Sequence, residues 1–250
     1  MEIKKVQYVK ICRIIWQFRI IFPETERGYY KLRGVIIDSW EAFDKYAEEY
    51  DAWYEKYKPV YESELAALKV FLHKNPENLK ALEIGIGTGR FAHPFGIKFG
   101  LDPSRPMARI AKRRGIETVL GIAELLPFKN KEFDLVLIVT ALAFFKDPIK
   151  ALKESFRILK PGGQLITGIL DKDGPQGRIL DSQKRVSKFF SEACFLSAKE
   201  VTVYLVEVGF ENLEVCQTLF KPFERIENVE LPEKGHGRGS FVVFSVRKPF

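Results

Sequence analysis

The chain reads as an α/β protein built on a largely parallel sheet with helices on both faces. Three observations predict this. Short apolar strands alternate with amphipathic helices from about residue 80 onward, the spacing of βα units. A glycine-rich turn joins the first of those strands to the segment after it. The composition, with 46% hydrophobic and 29% charged residues in 250, is that of an ordinary globular chain.

The elements follow in order. From Ser39 the segment EAFDKYAEEYDAWYEKY sets Phe43, Tyr46, Tyr50, Trp53, Tyr54 and Tyr57 at three- and four-residue steps, an aromatic stripe on a helix. A second helix follows Pro59 to about Leu72. Lys80–Ile86 reads as a strand, Thr88–Phe95 as a short helix, Ile97–Leu101 as a strand and Ser104–Arg114 as a helix. Thr118–Leu120 and Phe133–Val139 are strands, with Pro148–Leu159 a helix capped by Asp147. Lys160-Pro161-Gly162-Gly163 reads as a turn before the strand Gln164–Leu170. Residues 171–196 form a cap-like insertion. Ser197 and Glu200 fit a capping box, and Gly209 sits where the helix should close. Two further strands, Asn212–Phe220 and Ser240–Arg247, end the chain, the first parallel to the others because it follows a helix.

Charge is distributed unevenly. The net charge is +7, yet residues 1–37 hold eight basic side chains against three acidic ones, leaving the remainder at only +2. A basic groove for a phosphate backbone is not expected, and nucleic acid is not the expected partner. Residues 1–37 are read as a basic N-terminal extension to a domain spanning 38–250. No apolar run approaches about 18 residues, so no transmembrane helix is expected. The three cysteines, Cys12, Cys194 and Cys216, never occur as C-x-x-C. Neither a zinc cluster nor a disulfide framework is expected, and the expected compartment is the cytoplasm.

The glycine turn reads Glu83-Ile84-Gly85-Ile86-Gly87-Thr88-Gly89-Arg90. A dinucleotide-binding turn has its third glycine or alanine one position later, where this chain holds Arg90, so a pyrophosphate ligand is disfavoured. Glu83, two residues before the first glycine, suits a ligand with an amino-acid moiety. Asp102 ends the second strand, where an acid bonds ribose hydroxyls in nucleotide-binding α/β folds.

LEIGIGTGRF, GLDPS, GIAELLPF, FDLVLIVTALAFF and ILKPGGQL, in that order between Leu82 and Leu165, resemble the class I S-adenosylmethionine-dependent methyltransferases, in particular the small-molecule branch called type 11. The resemblance implies a Rossmann-like seven-stranded sheet with its last strand antiparallel, an N-terminal helical lid and a small insertion after the fifth strand. It implies S-adenosylmethionine as cofactor, S-adenosylhomocysteine as product and no metal. It places Gly85, Gly87 and Gly89 at the methionine end with Glu83 supporting the turn. Asp102 would take both ribose hydroxyls, Ala123 and Glu124 the adenine, and Thr140 the methionine portion. Tyr50 of the aromatic helix would close over the cofactor.

Acceptor-side candidates are Trp53, Tyr54 and Phe144, with His236 and Arg238 in the loop Gly235–Gly239, His236 being the one catalytic candidate. His73 reads as a surface residue and His93 as packing. The apolar stretch after Thr140 favours a small, partly hydrophobic methyl acceptor. Two alternatives stay open here: an RNA or protein methyltransferase docking through the basic N-terminus, and a non-catalytic S-adenosylmethionine-binding protein.

Overall fold

The computed structural model describes residues 40–72 and 78–250; the extension 1–37 and His73 lie outside them. An eight-stranded sheet forms the centre, in the order β3-β2-β1-β4-β5-β8-β6-β7. β1 (Ala81–Ile84), β2 (Phe99–Asp102), β3 (Glu117–Leu120), β4 (Phe133–Val139) and β5 (Leu159–Leu170) run parallel. β8 (Phe241–Arg247) enters antiparallel between β5 and β6 (Glu211–Thr218), so β6 runs parallel to β5. The eighth strand, one more than expected, is the two-residue β7 (Glu233–Lys234) on the edge.

Strand side chains alternate between two cores, as period-2 geometry requires. Leu135, Leu137 and Val139 of β4 face one layer with Val60, Ala67 and Leu68. Val136 and Ile138 face the other, with Leu152, Val201 and Leu205. Burial on both faces explains why β4 reads as a continuous apolar run.

The helices α1 (Glu41–Lys45), α2 (Ala47–Lys56) and α3 (Lys58–Lys69) precede the sheet. The aromatic segment, expected as one helix, is broken at Tyr46, whose φ and ψ are −123° and 30°. A further break at Tyr57 lets Pro59 fall in the first turn of α3, where its missing N–H is harmless. The expected helix Thr88–Phe95 is instead a series of turns with a single 3₁₀ turn at His93–Phe95. Pro94 supplies no amide there, and Gly96 at φ 68° reverses the chain.

α4 (Arg105–Arg113) starts from Ser104, whose hydroxyl accepts the Met107 amide bond. α5 (Pro148–Ile158) starts from Asp147, which accepts from the Lys150 amide at 2.9 Å. Lys160–Gly163 is a bulge inside β5 rather than a free turn, since pairing to β4 jumps from Leu159 to Gln164. The insertion supplies α6 (Pro175–Gln183), and α7 (Ala198–Val208) carries the full Ser197–Glu200 capping box and a left-handed Gly209. Ile84, Asp102, Leu120, Val139 and Leu170 therefore end at one sheet edge, where open α/β sheets place their ligands. No helix among the described residues is long and apolar enough to cross a membrane.

Candidate functional site

The turn after β1 is assembled from backbone. Gly85, Gly87 and Gly89 have φ of +70°, +52° and +81°, a region that L side chains rarely adopt. Their surroundings divide their roles. A Cβ on Gly85 would collide with Ala141 Cβ, and one on Gly89 would meet Ile116 Cδ1 at 2.6 Å, so both are small for packing. A Cβ on Gly87 would meet only Tyr50 Cε1, at 3.9 Å. Gly87 is thus the glycine whose open side a ligand can use. Beneath the turn Glu83 is 1% exposed, with Oε2 lacking a hydrogen-bond partner. Burial drives its pKa well up, opposed by the nearby Ala92 amide.

Asp102 joins three pieces of the site. Its Oδ2 accepts from the Gly87 amide and its Oδ1 from the Ser104 amide, both at 2.8 Å. Burial raises its pKa to about 6 against the pull of those two amides, and Asp44 of α1 pushes the same way as burial. Next along the edge, Ala123 is buried, while Glu124 Oε1 accepts from the Asp147 amide at 3.3 Å. Thr140, just past β4, has φ of +52° and donates its amide to the Gly168 carbonyl. A β-branched residue in that conformation is strained, and such strain collects at ligand sites.

The lid lies over this edge. The Tyr50 and Tyr54 hydroxyls are 2.8 Å apart. Burial raises the Tyr50 pKa to about 12, and Thr140 lies within reach of its hydroxyl. The insertion meets the lid: Phe189 packs on Phe43, Tyr46 and Tyr50, and Lys188 pairs with Glu49 at 2.8 Å. A polar anchor that the sequence reading missed holds α2 to the glycine turn. Arg90 donates twice to the Asp51 carboxylate, once to the Asp51 carbonyl and once to Glu55, while Arg114 donates to Asp51 Oδ2 and the Thr88 carbonyl. Burial alone would raise the Asp51 carboxyl, but Arg90 and Arg114 overcome it and hold it at about 2. The Asp51–Glu55 spacing puts two acids on one helical face, but nothing in the sequence ties that face to Arg90 or Arg114.

Comparisons with known proteins agree with this geometry. A family model described as a methyltransferase domain, of the type 11 group, matches residues 82–167. An uncharacterised protein of Methanocaldococcus jannaschii is 48% identical over 82% of this chain and 98% of its own. A solved structure from Thermotoga maritima, an S-adenosylmethionine-dependent methyltransferase described as a possible histamine N-methyltransferase, is 42% identical with a TM-score of 0.80. That match covers 84% of this chain and 99% of the other. The chain belongs to the S-adenosylmethionine-dependent methyltransferases. The Lactococcus lactis demethylmenaquinone methyltransferase is 29% identical over 68% of each chain.

The residues present suit the methyltransferase cofactor. The partnerless Glu83 Oε2, the open side of Gly87 and the buried Asp102 stand along one edge, matching a ligand with an amino-acid end and a ribose but no pyrophosphate.

The acceptor-side candidates are less gathered. Tyr54 is buried between Tyr50 and Tyr61, with the Arg90 guanidinium over its ring. Trp53 turns instead onto Tyr57 and Phe223. Phe144 stacks on Phe190 of the insertion and meets Phe43 edge-on. Beside it Thr140, Ala143, Ile169, Leu170, Phe190 and Phe195 line a small apolar cavity. The loop with His236 and Arg238 leads into β8 at the ligand edge, as expected from topology, but both side chains are exposed. Arg238 is engaged by Glu233 at 2.9 Å. His93 is exposed rather than packed, its Nδ1 3.1 Å from the Arg114 carbonyl.

Proposed function

We propose that this methyltransferase acts on a small molecule enclosed beneath the aromatic lid. The carrying observation is that Phe189 of the insertion packs onto Phe43, Tyr46 and Tyr50 of the lid. A roof built from both the lid and the insertion suits a compact acceptor better than a nucleic acid or protein chain. Two relatives, a demethylmenaquinone methyltransferase and a structure described as a possible histamine N-methyltransferase, support the same class. We assign the cofactor's methionine end to Gly85, Gly87, Gly89, Glu83 and Thr140, its ribose to Asp102 and its adenine to Ala123 and Glu124. Tyr50 closes over it. The cytoplasm remains the compartment that the sequence favours.

S-adenosylmethionine, when bound, supplies a methyl group on a positively charged sulfur. The chain's part is positional. The backbone turn and Asp102 fix one reactant, and the lid holds the other in line with it while water is excluded. Aromatic walls tolerate a cationic ligand through their ring faces.

The test is a methylation assay with labelled cofactor on three fractions of a cell extract: small metabolites, RNA and protein. Label transfer into the small-molecule fraction, with S-adenosylhomocysteine released in proportion, is expected. Transfer into RNA or protein alone would replace this reading.

A further inference from the structure

The glycine turn has no helix behind it. Residues 88–95 form turns and one 3₁₀ turn where α/β folds ordinarily start a helix, so the loop must be held from elsewhere. Its holder is Arg90, the residue after Gly89. Arg90 Nε donates to Asp51 Oδ1 at 2.9 Å and Nη2 to Asp51 Oδ2 at 2.8 Å, a two-pronged pair, and Nη2 also reaches the Asp51 carbonyl at 3.0 Å. Nη1 donates to Glu55 one helical turn on, and the guanidinium lies over the Tyr54 ring. The Tyr61 hydroxyl of α3 donates to the Arg90 carbonyl. Arg114, just past α4, completes the frame with bonds to Asp51 Oδ2 and the Thr88 carbonyl.

The place of this frame gives it a consequence beyond stability. Asp51 is the neighbour of Tyr50, and a Cβ on Gly87 would have Tyr50 Cε1 as its one neighbour within 4 Å, at 3.9 Å. The spacing between that ring and the open side of the turn is therefore set beside the Asp51–Arg90 pair. Both members of the pair are largely withdrawn from water, with side chains 15% and 14% exposed, so solvent and salt screen it less than a surface pair. Glu55, at 68%, adds little. Only a planar fork bonds both oxygens of a carboxylate at once, whereas a lysine ammonium is a point charge.

We propose that Arg90 is a positioning residue: through Asp51 it sets Tyr50 over the open side of Gly87, so that lid and turn hold the cofactor as one unit. The proposal rests on the assignment of Tyr50 to the cofactor made above and goes beyond it, by naming the residue through which the turn places the ring.

The test is isothermal titration of S-adenosylhomocysteine into the full chain as wild type, Arg90→Lys, Tyr50→Ala and the double variant. Each single substitution is expected to weaken binding by roughly tenfold, the first because lysine keeps the charge and loses the fork. The double variant should bind no more than roughly twofold more weakly than Tyr50→Ala, because Arg90 acts by placing a ring that is no longer there. A merely structural Arg90 would lower the melting temperature without this coupling. Unchanged affinity in Arg90→Lys, or two losses that multiply, overturns the proposal. A Tyr50→Ala protein that binds like the wild type overturns both the proposal and the Tyr50 assignment, whereas a weakened Tyr50→Ala beside an unchanged Arg90→Lys removes the role of Arg90 alone. Amide hydrogen exchange on the wild type gives a reading that needs no variant. S-adenosylhomocysteine should slow exchange in residues 47–56 together with 85–90, and slowing confined to 85–90 overturns the proposal.

Discussion

The edge proposed for the cofactor and the roof proposed for the acceptor are made of different materials. Along the edge, backbone dominates: three glycines at positive φ, and the Gly87 and Ser104 amides bonded to Asp102. Over the roof, side chains dominate: Phe43, Tyr50, Phe144, Phe189 and Phe190, drawn from three separate segments of the chain. Backbone cradles tolerate few alternatives at each position, so one edge can serve a common cofactor across many acceptors. A side-chain roof can change its occupant by exchanging rings.

The sharpest way to break that contrast is Gly87→Val. A branched side chain at φ +52° is strained, and the space it would enter is the open side of the turn. S-adenosylhomocysteine should give no measurable heat or thermal shift, while circular dichroism stays that of the wild type. Retained binding would show that the turn does not cradle the ligand. Gly89→Val is the control: its Cβ meets Ile116 and Ala111, so it should lower the melting temperature as well.

Asp102→Ala comes next, with an expected affinity loss of about 2–4 kcal/mol, the range for a charged acceptor serving a buried partner. The pH dependence sharpens it. Asp102 has its pKa raised by burial to about 6 in the free protein, so it takes up a proton as pH falls through that value. Ribose hydroxyls need the ionised form as acceptor, so S-adenosylhomocysteine affinity should fall below pH 6 and level off above it. Titrations from pH 5 to 8 check this. In the opposite sense, Glu64 is held neutral by burial up to about pH 8, so its contribution to stability declines as pH rises from its unfolded pKa toward 8. Glu64→Gln should flatten the melting temperature over that range.

The same contrast explains what could be read from residues alone. The β-α alternation and the Asp147 and Ser197–Glu200 caps follow from local chemistry and chain topology, and they are present, whereas the place of β8 between β5 and β6 is a finding of the structure. The position of Asp102 at the end of β2 was legible and is observed; its ribose role remains a proposal. The segment Thr88–Phe95 misled because helical periodicity outweighed Pro94 and Gly96. Glu64 and the Arg90–Asp51–Arg114 anchor were invisible because each depends on two helices packing onto the turn. Spacing along the chain carries no record of that.

The anchor supplies an intermediate effect. Asp51 sits between two guanidiniums with its side chain 15% exposed, so Asp51→Asn leaves both partners underpaired. A stability loss of about 1–3 kcal/mol is expected by urea unfolding. The depressed carboxyl stabilises the fold above its unfolded pKa, and this is lost as pH falls toward 2. If the lid is coupled to the cofactor turn through this anchor, affinity for S-adenosylhomocysteine should drop together with stability. A stability loss at unchanged affinity would show the lid and turn to be energetically separate.

The smallest effect is expected at His236. Its loop stands at the ligand edge, with the Arg238 and Gly239 amides both bonded to Gln217 Oε1 at 2.8 Å. The loop base is therefore fixed, while the imidazole is exposed. Asp171, at the end of β5, is the buried acid that feels it: burial raises the Asp171 pKa, and His236 is among the weaker influences lowering it. Asp171 is already bonded by the Asp173 and Ala198 amides, and an exposed imidazole has little to contribute to a proton transfer under the lid. His236→Ala should leave S-adenosylhomocysteine affinity unchanged and reduce turnover by less than roughly tenfold, measured on whichever acceptor the labelling assay identifies. A general base typically contributes roughly 10²-fold or more. A fall of that size, with unchanged cofactor affinity, would bring the loop into the roof and make the acceptor chamber larger than the rings alone define.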